Sequence, residues 1–208
     1  MPFVKRELPD RPAEEQRPGE GIASHIAALS GPDPETRWNA ARSLGGHVDA
    51  VPALAAALAA EELPRAREAI MTALMRIGDE ASVRALLPYL CSQDASQRAA
   101  AIETLQNLPA ATLPFMASLL NDGDSDVRIL ATELARNMPA ADANHVLCTL
   151  LEHEQHPNVC AAAVDVLAEV GTRTALPALQ ACAERFAEVP FLPFAVSTAI
   201  ARISDAER

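Results

Sequence analysis

Beyond residue 20 the chain alternates between stretches in which apolar residues recur every three or four positions and short polar breaks marked by Asp, Pro or Gly. Ile22, Ile26 and Leu29 share one helix face, and the first break follows at Asp33-Pro34, where Asp caps a helix and Pro fits its first turn. The same device recurs at Leu63-Pro64 and His156-Pro157, and Gly45-Gly46, Gly78 and Gly171 fall where helices should end. The pattern predicts helices in pairs: 22–30 with 34–45, 49–60 with 64–77, 80–91 with 95–107, 110–121 with 125–137, 141–153 with 157–169, and 173–187 with 191–203. Residues 1–20, with Pro2, Pro9, Pro12 and Pro18 among alternating charges, read instead as an extended tail. Its apolar Phe3-Val4 beside Lys5-Arg6 is either a short docking motif or a loose terminus.

The pairs are copies of one another. The segment Asp124-Ser125-Asp126-Val127-Arg128 has earlier versions at Asp33-Pro34-Glu35-Thr36-Arg37, Leu63-Pro64-Arg65-Ala66-Arg67 and Asp94-Ala95-Ser96-Gln97-Arg98, and a later one at His156-Pro157-Asn158-Val159-Cys160. Anchored on Arg37, Arg67, Arg98, Arg128 and Cys160, the steps are 30, 31, 30 and 32 residues. A nearly fixed period of this kind is the signature of a solenoid. No single pair can bury its apolar face, so the pairs must stack into one continuous core, making residues 21–208 a single solenoid. Within the repeat, the Asp residues are expected to cap helices and the Arg residues to bridge to an acidic group or carbonyl of a neighbouring turn.

A helical hairpin whose second helix opens with Asp-Pro-x-x-Arg and continues with paired small residues and a Leu resembles the HEAT repeat. Arg37 is followed by Ala40-Ala41 and Leu44, Arg67 by Ile70-Met71 and Leu74, and Arg98 by Ala101-Ile102 and Leu105. The short period is similar to that of compact bacterial HEAT-like repeats, among them those of phycobilisome bilin lyases. The resemblance implies an all-α fold, a right-handed α-solenoid of about six hairpins whose second helices line the concave surface. It also implies a non-catalytic scaffold or adaptor for another protein or peptide. The alternative it carries is an accessory lyase or cofactor-insertion chaperone related to bilin lyases. Three departures stand out: Ala135 replaces the expected Leu, Cys160 replaces Arg, and Phe194 occupies the Arg slot of the last pair within Phe191-Leu192-Pro193-Phe194. Exposed Phe residues would cap a stack poorly, so they are expected to be covered by neighbouring helices or by a second subunit.

Composition narrows the partner. Half the residues are hydrophobic but only 3% are aromatic, so the core must be aliphatic and alanine-rich, which lets helices approach closely. A formal charge of −11 without any basic cluster excludes a phosphate-tracking nucleic-acid surface. No run is long and apolar enough to predict a membrane span, no secretory leader is recognisable, and the four cysteines form no disulfide framework. These features predict a reduced cytoplasmic protein, monomeric or a weak homodimer through the terminal repeat.

Candidate chemistry is sparse. Cys148, His153, His156 and Cys160 gather zinc-type ligands within 13 residues, but at no zinc-site spacing, and core and turn roles compete with metal binding. No phosphate loop, nucleophile elbow or triad spacing is present, so neither a catalytic constellation nor a cofactor is expected. The remaining candidate is a surface. Positions one, five and nine after each anchor share a helix face away from the core, giving Trp38 and Arg42; Glu68, Thr72 and Arg76; Glu103 and Asn107; Ile129, Glu133 and Asn137; Asp165 and Glu169. This mainly acidic row is either a solvated face or a groove for a basic or amphipathic segment, with Trp38 as its anchor.

Overall fold

In the computed structural model, which describes residues 18–206, every regular element is helical. Six hairpins follow one another. Helix α1 (Pro18–Ala28) pairs with α2 (Pro34–Leu44), α3 (Val51–Ala60) with α4 (Pro64–Ile77), and α5 (Glu80–Leu86) with α6 (Ala95–Gln106). Then α7 (Pro109–Leu119) pairs with α8 (Ser125–Leu134), α9 (Ala140–His153) with α10 (Pro157–Val170), and α11 (Leu176–Arg185) with α12 (Phe191–Ala206). Short 3-10 turns extend α5 at Leu87–Cys91 and α8 at Ala135–Asn137, and precede α3 and α11. The protein is an α-solenoid.

Local chemistry explains the boundaries. Asp33, Asp79, Asp94 and Asp124 cap α2, α5, α6 and α8, their carboxylates accepting from a backbone N–H in the first turn. Leu63 and His156 occupy cap positions without a side-chain cap bond. There the carboxylates of Glu61 and Glu154 accept from the Leu63 and His156 N–H groups, at 3.0 and 2.8 Å. Gly78 ends α4 at φ 70°, a left-handed conformation that favours glycine, and its N–H returns to the Leu74 carbonyl.

Three expectations shift. The first helix begins at Pro18, inside the span expected as a tail, and Phe3-Val4 lies outside the described residues. The predicted helix over 80–91 is α-helical only to Leu86 and then tightens to a 3-10 turn, because Pro88 has no N–H for an α-helical bond. The helix over 125–137 tightens likewise after Leu134.

Buried aliphatic residues form one cluster running from Leu29 to Ile203. Leu44, Leu74, Leu105, Ala135 and Leu167, each seven residues after its anchor, are fully buried. The even-numbered helices stack in one layer, α2 on α4 and α8 on α10 on α12, and the odd-numbered helices form a second layer, with α3 against α5 and α9 against α11. Among the described residues no helix is long and apolar enough to cross a membrane.

Candidate functional site

The anchor side chains hold the repeat together. Arg37, Arg67, Arg98 and Arg128 each donate to the carbonyl six residues earlier, at Gly31 (3.0 Å), Glu61 (2.7 Å), Ser92 (2.6 Å) and Asp122 (2.8 Å). Each thereby fastens the start of its helix to the end of the preceding one. Arg37 and Arg128 also fork onto the carboxylates of Glu61 and Glu154 in the next hairpin, with Nε contacts of 2.7 Å in both cases. The Arg37 hydrogen bond holds the Glu61 carboxyl below its usual range. Burial pushes Glu154 up, but Arg128 and the His156 N–H outweigh it and the net shift is downward. The structural role expected for the repeated Asp and Arg is what the structure shows.

These pairs close the ends of two equivalent clefts between odd-numbered helices, one of about 760 Å³ between α1 and α3, the other of about 420 Å³ between α7 and α9. The lining matches position by position: Leu29 corresponds to Leu120, Ala57 to Leu150 and Glu62 to Gln155. Sequence reasoning missed both clefts, because each forms between hairpins.

On the even-numbered helices the predicted row is only partly assembled. Trp38 is half-buried against the core and lies between two guanidinium groups, Arg42 at 4.5 Å and Arg65 at 4.3 Å from its ring centroid. Arg65 also pairs with Glu35 at 3.0 Å, and Arg76 reaches the Arg42 carbonyl at 3.4 Å. The N-terminal end of this face is therefore cationic and aromatic, not acidic. At the other end Glu133, Asp165 and Glu169 converge on Arg136. The hydrogen bonds that Arg136 donates to Glu133 and then Glu169 raise its pKa further. Glu68, Thr72, Glu103 and Asn107 are exposed in between, with Asn107 donating to the Glu103 carbonyl, while Ile129 is half-buried against the core. Arg65 and Arg136 were missed in the sequence. Arg136 stands eight residues after its anchor, one short of the row, a signal available had the tightening of the last turn been known.

The structure does not bring the zinc-type residues together. Cys160 is fully buried, Cys148 and His156 are half-buried, and the His153 side chain is 81% exposed. Among the described residues no three His, Cys, Asp or Glu side chains are grouped to hold a metal ion. Phe191 and Phe194, expected to be covered by neighbouring helices or by a second subunit, are 47% and 74% exposed in the single chain.

A family model described as HEAT repeats matches residues 22–106 and 112–189. The bilin biosynthesis protein PecE of Mastigocladus laminosus is 47% identical over 74 residues, 35% of this chain. The match spans only 28% of that relative's length. Among solved structures, the complex of CpcE and CpcF of phycocyanin lyase from Nostoc sp. PCC7120 is similar at 21% identity and a TM-score of 0.40, over 86% of this chain and 85% of that one. A designed armadillo repeat protein in complex with the peptide (KR)4 is similar at 17% identity and a TM-score of 0.43, over 88% and 99% of the two chains.

Proposed function

Because the chain belongs to the HEAT-repeat family, we propose that it is a non-catalytic scaffold or adaptor that works as one solenoid unit in the cytoplasm and binds a partner protein or peptide on the face of its even-numbered helices. The observation that carries this reading is Trp38, held between Arg42 and Arg65 beside a solvated row of polar side chains. An aromatic ring fixed between two cations is a ready anchor for an amphipathic segment. Arg42 would meet an acidic group of that segment; Glu68 and Glu103, exposed and without an ion pair among the described residues, would meet basic ones. Thr72, Asn107, Ile129, Glu133, Asp165 and Glu169 complete the contact row, the last three through the charge balance they share with Arg136. The exposed Phe191 and Phe194 are where a second copy would meet the terminal hairpin in a weak homodimer.

The test is partner capture with Trp38→Ala and Glu103→Lys chains beside Gln180→Lys on the odd-numbered layer. The reading expects a partner held by the wild type and by Gln180→Lys but lost from the other two; a partner held equally by all four contradicts it. A second reading is favoured by the identity to PecE: an accessory lyase or cofactor-insertion chaperone in bilin chemistry. It expects the protein to retain a bilin in solution, seen as visible absorbance that follows the chain through gel filtration. Absorbance eluting apart from the chain contradicts it.

A further inference from the structure

The two equivalent clefts between odd-numbered helices differ in volume and in charge. The α9 wall of the α7–α9 cleft carries Val146, Thr149, Leu150 and His153, where the α3 wall of the α1–α3 cleft has Ala53, Ala56, Ala57 and Ala60. Without the larger side chains the α1–α3 cleft reaches about 760 Å³, against about 420 Å³ for the other. Ile26 and Leu29 complete its apolar lining, and Leu63 beside them is 43% exposed. The carboxylates at its end are unequal. Glu61 is committed to Arg37, with a side chain only 3% exposed, whereas Glu62 is exposed and has no ion pair among the described residues. The residue corresponding to Glu62 in the α7–α9 cleft is Gln155, which carries no charge.

The chain enters the described structure at Pro18, the first residue of α1, and α1 is itself a wall of the larger cleft. Outside the described residues stands Phe3-Val4-Lys5-Arg6, two apolar side chains followed by two cations, with Lys5 the only lysine in the sequence. We propose that this segment seats in the α1–α3 cleft of its own chain, with Phe3 and Val4 against the alanines of α3 and Lys5 against the Glu62 carboxylate. Reach allows it. Residues 7–17 join Arg6 to Pro18, and eleven residues span up to about 36–40 Å when extended. Helix α1, also eleven residues, is only about 16–17 Å long at 1.5 Å per residue, so the segment can return along it to Ile26 and Leu29. Burial of Phe3 and Val4 supplies the hold, because apolar area removed from water outweighs an exposed ion pair. The Lys5–Glu62 pair fixes which way the segment lies. The α7–α9 cleft fits it less well on both counts, being narrowed by Leu150 and uncharged at Gln155.

The experiment treats the full chain with a zero-length carbodiimide, which joins an amine to a carboxylate only where the two meet, and maps the linked peptides by mass. The expected product is an amide between Lys5 and Glu62, formed with loss of one water, in the monomer and in a yield that does not fall on dilution. Ala57→Leu gives α3 the residue of the narrower cleft and should lower that yield several-fold. Phe3→Ser should lower it as well, and serves in case Ala57→Leu does not fold. A link from Lys5 to a carboxylate outside the cleft, or no link, would overturn the assignment. So would a link confined to covalent dimers, which would place the segment in a second copy, or an equal yield in the wild type and both variants.

Discussion

The first four junctions between hairpins are of two kinds. Between the first and second, and again between the fourth and fifth, an anchor arginine forks onto a carboxylate that is itself tied to the first N–H groups of the next helix, Arg37 onto Glu61 and Arg128 onto Glu154. Between the second and third, and the third and fourth, Arg67 and Arg98 hold only the carbonyl of their own turn. The difference traces to one register position, six residues before each anchor. It is Glu61 and Glu154 at the tied junctions, but Ser92 and Asp122 at the others. Asp122 is one methylene shorter, and its carboxylate turns back to accept the Asp124 N–H at 2.9 Å. The helix layers follow suit. Helix α2 lies along α4, and α10 along α8 and α12, while α6 touches its even-numbered neighbours over less of its length. The same hairpin thus makes a joint with or without an arginine–carboxylate fork according to one side chain, and around α6, where the fork is missing on both sides, the helices also lie along one another least.

The largest expected effect separates the two kinds directly. Arg128→Ala leaves Glu154, whose side chain is 5% exposed, as an unpaired carboxylate, and should cost about 3 kcal/mol of stability in urea unfolding. Arg98→Ala removes hydrogen bonding to a carbonyl and should cost about 1 kcal/mol. Equal losses would erase the distinction. Arg128→Lys should recover little of its loss, since an ammonium cannot match the fork.

Acid should act on the tied junctions first. The carboxyls of Glu61 and Glu154 titrate lower in the folded chain than in the unfolded one, so their contribution is complete above the unfolded pKa of about 4.3 and is lost as pH falls through the folded values. Glu154→Gln should therefore be less stable than the wild type at neutral pH and lose less than it does between about pH 5 and pH 3. Parallel acid profiles for the two proteins would assign the acid sensitivity elsewhere. The smallest effect is a gain: Ser92→Glu places a carboxylate where Arg67 can meet it and should add roughly 0.5–1 kcal/mol to stability, with an unchanged value arguing that backbone spacing keeps the fork from closing.

What was legible in the sequence was what is local. Helix pairs, Asp caps and the fully buried seventh position after each anchor could be read because their partners lie within one hairpin. The carboxylates that receive Arg37 and Arg128 lie 24 and 26 residues away, and only stacking brings them close. The candidate face suffered for the same reason. Trp38 was found, but Arg65, which covers its ring from the neighbouring helix, was not, and the C-terminal end of the acidic row, Glu133, Asp165 and Glu169, lost its free charge to Arg136. The cover expected over Phe191 and Phe194 is not supplied by the neighbouring helices, so their exposure is a finding of the structure alone.

Native-state hydrogen exchange tests the contrast between joints most directly, because it reads the opening free energy of each helix in one sample. The account predicts that amides in the middle of α6 are less protected than those in the middle of α4 and α10. Protection of α6 equal to or above that of both α4 and α10 would contradict it.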